Sequence, residues 1–134
     1  MEIVDNTALR LSAPPTVANE IVSVADRSGI TPDGDVLVCW EFPETCAGAR
    51  VLDKHQPNKN IPDIPSPILR DYTWPGVFKP FDHQKVTASY LSLRSRAFCF
   101  NEAGTGKTSA AIWATDYLMN IGVIRRVLIV CPLS

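Results

Sequence analysis

The sequence predicts an α/β chain whose last third opens a parallel-sheet lobe around a phosphate-binding loop. Three observations carry that expectation. The octapeptide Asn101-Glu102-Ala103-Gly104-Thr105-Gly106-Lys107-Thr108 has the glycine spacing of a phosphate cradle. Ala97-Phe98-Cys99-Phe100, directly before it, reads as a short buried strand. Val127-Leu128-Ile129-Val130-Cys131, closed by Pro132, is a continuous apolar run of the kind found in parallel strands buried on both faces. Between these runs Ala110, Ala114, Tyr117, Leu118 and Ile121 mark one face of a helix, with Gly122 placed as its C-terminal cap. Residues 97–131 are therefore expected to form a βαβ unit with a right-handed crossover.

The chemistry expected of the octapeptide follows from its composition. Backbone N–H groups in a tight glycine turn, followed by the positive end of a helix, make a concave site for phosphate oxygens. Ala103, Gly104, Thr105 and Gly106 supply the cradle, Lys107 a point charge for the β/γ-phosphates, and the Thr108 hydroxyl a ligand for Mg²⁺. Lys107 and Thr108 are thus the residues expected to act on the phosphoryl group. The general pattern places glycine where this chain has Asn101. Asparagine tolerates left-handed backbone angles better than most residues, so the turn is expected to survive.

Upstream, residues Met1 to Leu11 mix polar and apolar positions, and Leu9 and Leu11 alternate as in a short strand. After Pro14-Pro15 the spacing of Val17, Ile21 and Val24 predicts an amphipathic helix stopped by Gly29. Pro32-Asp33-Gly34-Asp35 is a turn leading into Val36–Phe42, a strand with Val36, Val38, Trp40 and Phe42 on one face. A short helix is expected near Thr45 to Leu52. From Asp53 to Pro80 six prolines fall in one stretch, which excludes a central strand, while Ile68, Leu69, Tyr72, Trp74 and Phe78 are too apolar for a free linker. This stretch reads as an ordered strap. Asp82 is then placed to cap a helix running to Leu93, with Phe81 and Val86 as its hydrophobic staple. The expected organisation is an accessory α/β region over 1–52, a proline-rich connection over 53–80 and the start of the parallel-sheet lobe over 81–134.

Composition narrows the class. In 134 residues, 13 Lys plus Arg against 14 Asp plus Glu leave a net charge of −1, so the whole-chain electrostatic footprint of a nucleic-acid binder is absent. The four cysteines lack the close spacing of a zinc knuckle or a redox dithiol, and free thiols in a reducing, cytoplasmic setting are expected; a Cys39/Cys46/His55 metal group is the remote alternative. No apolar run reaches membrane-spanning length.

With these residues in hand, the chain resembles the N-terminal end of a superfamily 2 helicase-like ATPase of the Snf2-like branch that includes phage-encoded DNA helicases. Asn101 to Thr108 looks like motif I of that branch. Val127 to Ser134 is similar to motif Ia, and Phe78-Lys79-Pro80-Phe81-Asp82-His83-Gln84 resembles the adenine-reading segment. The resemblance implies a RecA-like lobe, ATP and Mg²⁺ as cofactors, and DNA as partner through Pro132 and Ser134. It also implies association with replication or recombination proteins. Gln84 would select adenine, accepting from N6 and donating to N7, with Phe81 or Phe78 stacked on the base. His83 reads as an ordinary exposed residue, and Arg125 and Arg126 as solvated.

Hydrolysis needs an acidic residue at the metal, a water-orienting group and further cations. In the resembled family these lie in later motifs, so the 134-residue chain is expected to be the nucleotide-binding part of a larger ATP hydrolase and inactive alone. Two alternatives stay open: another P-loop enzyme such as a small-molecule kinase, and a non-catalytic binding module.

Overall fold

The computed structural model describes residues 1–55, 63–77 and 79–131. The elements run β1 (Glu2–Val4), β2 (Ala8–Leu11), α1 (Pro15–Val24), β3 (Ser28–Ile30), β4 (Val36–Cys39), α2 (Phe42–His55), α3 (Ile68–Asp71), α4 (Asp82–Leu93) and α5 (Lys107–Asn120).

The first four strands form an antiparallel sheet in the order β1-β2-β4-β3. Its first hairpin turns at Asp5 and Asn6, both with left-handed backbone, φ +48° and +56°, and Thr7 N–H closes the turn on Val4 O at 3.0 Å. Asp and Asn are among the few residues that accept this geometry, and two consecutive positive φ values match the right-handed twist of the strands that leave it. Alternation does the rest: Leu9, Leu11, Val36 and Val38 point to one face and are buried. Val17, Ala18 and Ile21 of α1 and Ala49 and Leu52 of α2 cover that face. Gly48 lets α2 approach closely, because a Cβ there would lie 3.1 Å from Ile64 Cδ1.

Residues 63–74 run from this layer to α5. Trp40 Nε1 donates to Pro65 O at 2.9 Å, and the Arg70 guanidinium lies over the Trp40 ring, 5.0 Å from its centroid, while donating to Asn6 O at 2.8 Å. The buried Ser66 N–H donates to Ser89 Oγ of α4, and Ser92 Oγ donates to Ser66 Oγ at 2.7 Å. Tyr72 donates to Asp116 of α5 at 2.6 Å and stands edge-on to Trp74, which in turn meets Trp113. Ile68, Tyr72, Ala88, Ala110, Ala114 and Tyr117 thereby form a second core where α4 packs on α5.

The chain is mixed α/β, but its sheet is not the expected one. Ala97–Phe100 and Val127–Cys131 carry no strand, and among the described residues the only sheet is the antiparallel one in the first 39 positions. No βαβ unit forms over 97–131, and no parallel RecA-like sheet is present among the described residues. The reason is cover. Parallel pairing is stable when both faces are packed, whereas here Phe98 and Phe100 are 80 % and 90 % exposed, and Leu128 and Val130 are 88 % and 87 % exposed. Gly29, expected to stop a helix, lies instead in β3. Asp82 is the first residue of α4 rather than its cap, and Phe81 and Val86 are both exposed, so no staple forms between them.

Candidate phosphate site

The octapeptide spans the gap between residue 100 and α5, alongside the first turn of α4. Gly104 and Gly106 have φ +77° and +78°, a backbone region that costs an L side chain about 1–2 kcal/mol. Gly106 is doubly constrained, because a Cβ would fall 2.1 Å from Gln84 Nε2. Asn101 is not among the residues with positive φ. The turn therefore survives without left-handed geometry at that position, contrary to the reason inferred from its side-chain type.

Gly106 is also the N-cap of α5 and offers no side-chain cap. Ala110 N–H is bonded to Gly106 O at 3.1 Å, which leaves the N–H groups of Lys107, Thr108 and Ser109 without helical carbonyl partners, facing the loop with the positive end of the helix dipole. Lys107 Nζ donates to Asn101 O at 2.9 Å and to Glu102 O at 2.7 Å, so the ammonium closes the loop on itself. An ammonium has three donors, and one remains for a phosphate oxygen. Thr105 Oγ1 adds a bond to Glu102 O at 2.8 Å. Thr108 is exposed on the first turn of α5. Among the described residues no group of three or more His, Cys, Asp or Glu could hold a metal ion. A Mg²⁺ here would take the Thr108 hydroxyl together with phosphate oxygens and water, a combination this hard cation accepts.

Gln84 is joined to the loop. Its Oε1 accepts from Phe81 N–H at 3.0 Å, closing the first turn of α4, and its Nε2 donates to Thr105 O at 3.2 Å. One N–H and one lone pair of the amide stay unused, which is the complement adenine presents on its N7/N6 edge. Phe81 is exposed, its ring stacked on that of His83 at 5.7 Å between centroids. His83 Nε2 lies 3.1 Å from Thr105 O; a carbonyl only accepts, so Nε2 carries the proton. Thr87 Oγ1 donates to His83 O at 2.8 Å and accepts from Asn101 Nδ2 at 2.9 Å.

Gln84, Ala103, Gly104, Thr105, Gly106, Lys107 and Thr108 thus converge, with Phe81 at the margin. Pro132, Ser134 and Phe78 lie outside the described residues. The Cys39/Cys46/His55 alternative is not assembled: Cys39 ends β4, Cys46 Sγ donates to Leu93 O at 3.6 Å, and His55 pairs with Glu20 at 2.7 Å. All four cysteines are free, and Cys131 is exposed rather than buried. Residue types alone missed His83 and Thr87. Their signal is spacing, since His83, Gln84 and Thr87 fall on one side of the first two turns of α4. An apolar cavity of about 360 Å³ is lined by α4, by residues between 63 and 69 and by Phe98 to Asn101. Arg94 stands at it, stacked on Tyr90 and bonded to Asp53 and Asp63 at 2.9 Å each.

Comparison with protein-family models, curated proteins and solved structures finds no match to this chain.

Proposed function

We propose that the chain binds ATP-Mg²⁺ through the loop Asn101–Thr108 and forms the nucleotide-binding part of an ATP-dependent DNA helicase or translocase. One observation carries the reading. The loop has two left-handed glycines, a lysine folded over it, the open N-terminus of a 14-residue helix behind it, and a glutamine with a free donor and a free lone pair at its side. Each part has a task in triphosphate binding: Gly104 and Gly106 let the backbone curl, the N–H groups of Lys107 to Ser109 meet phosphate oxygens, Lys107 offsets their charge, and Thr108 holds Mg²⁺. The unused side of Gln84 selects adenine. The further step, to DNA, rests on the resemblance of Phe78–Gln84, Asn101–Thr108 and Val127–Ser134 to helicase motifs, and Pro132 and Ser134 are the residues proposed to meet the DNA backbone.

Fluorescence titration of the chain with a labelled ATP in Mg²⁺ tests the binding step. Saturable binding, lost in Lys107→Ala and competed by ATP far better than by GTP, is the expected result. Equal binding by Lys107→Ala would overturn the site. Equal competition by GTP would remove Gln84 from base selection and favour the kinase-like alternative.

A further inference from the structure

The departure of this loop from the general motif has a partner on the neighbouring helix. Asn101 Nδ2 donates to Thr87 Oγ1 at 2.9 Å, and that hydroxyl donates onward to His83 O at 2.8 Å. The His83 ring returns to the loop at Thr105 O, where Gln84 Nε2 also donates. Two points of the loop, residues 101 and 105, are therefore tied to α4, and glycine at position 101 could not make the first tie. Nor does the backbone of Asn101 need asparagine, since its φ is not positive.

We infer that Asn101 and Thr87 are positioning residues that clamp the start of the phosphate loop to α4, so that the helix carrying Gln84 and the loop carrying Lys107 move as one body. The inference rests on the nucleotide-binding reading for its consequence and on the free protein for its geometry. With the start of the loop held, the carbonyls of Asn101 and Glu102 stay where Lys107 Nζ reaches both, at 2.9 and 2.7 Å. Releasing Asn101 frees the lysine's anchors and lets the cradle open before any ligand arrives. The loss is then paid in ligand affinity, because the loop must be ordered again on binding.

The test is a double-mutant cycle with two readouts. Asn101→Gly, Thr87→Val, the double variant and Thr87→Ser are compared for affinity of Mg²⁺-ATP and, without nucleotide, for the NMR order parameters of the amides of residues 102–106. Asn101→Gly and Thr87→Val are each expected to weaken Mg²⁺-ATP about two- to tenfold, the range of one net hydrogen bond, and to lower the order parameters across the loop. The double variant should be no worse than either single, and Thr87→Ser, which keeps the hydroxyl, should match wild type. Independent effects that multiply in the double variant would overturn the clamp, as would wild-type order parameters in Asn101→Gly and Thr87→Val. If wild type itself fails to bind Mg²⁺-ATP, the nucleotide reading falls, while the order-parameter cycle in the free protein still decides the clamp.

Discussion

Gly106→Ala tests the junction between loop and helix most directly, because two separable costs meet there. Alanine at φ +78° has a left-handed backbone worth about 1–2 kcal/mol against it. Its Cβ would also lie 2.1 Å from Gln84 Nε2. The amide is the far end of a flexible side chain, so it swings away rather than forcing the backbone, and the steric cost becomes the loss of two bonds, Phe81 N–H to Oε1 and Nε2 to Thr105 O. Both are partly open to water, so each contributes about 0.5–1 kcal/mol. The total is about 2–4 kcal/mol in wild type, and only the backbone part, about 1–2 kcal/mol, when Gln84 is already alanine. Urea unfolding at equilibrium measures it: the midpoint should fall at constant slope, and the shift caused by Gly106→Ala should shrink in the Gln84→Ala background. An identical shift in both backgrounds would refute the contact between Gly106 and Gln84.

Acid should unfold the protein through two carboxylates. Hydrogen bonds from Arg27 hold Glu44 below its ordinary range, and bonds from Lys54 and His55 do the same to Glu20. The unfolded chain then binds more protons, so this stability is present above about pH 4.3 and lost as pH falls through the depressed native values. Glu44→Gln should flatten the acid limb of a denaturation-midpoint profile and cost about 1 kcal/mol or less at neutral pH, since Arg27 is largely exposed. Alkali acts in the opposite sense. Burial pushes the Tyr117 hydroxyl up to about 12, and burial together with the bond to Asp116 pushes Tyr72 higher still. Their contribution is intact below about pH 10 and lost as pH rises through the native values, which Tyr72→Phe should reduce in the same profile. Finally, the uncovered apolar runs should drive self-association: Leu128→Lys with Val130→Lys is expected to lower concentration-dependent light scattering without moving the thermal midpoint, because both side chains are almost fully exposed.

What could be read from residues alone was whatever local chemistry dictates. Alternation placed Leu9, Leu11, Val36 and Val38 on one buried face, helical spacing placed Val17 and Ile21 against it, and the end of α4 at Leu93 was legible. The glycines of the octapeptide announced a tight turn, and Gly104 and Gly106 make it with left-handed backbone. The Asp5-Asn6 pair carries a hairpin signal of the same kind, and with it β1.

Pairing was not local and so was not legible. The apolar runs at 97–100 and 127–131 have the composition of parallel strands, but composition states only what a segment would bury if something covered it, and nothing among the described residues does. The sheet formed instead where hairpin turns bring neighbouring segments together at small loop cost. The site divides in the same way. The sequence by itself determined the cradle, because glycine at 104 and 106 and lysine at 107 act through their own backbone and charge. Only the tertiary structure decided that α4 lies beside it, turning His83 and Thr87 from ordinary helix residues into the partners of Thr105 and Asn101, since contacts between residues 14 and 22 positions apart depend on how two helices pack.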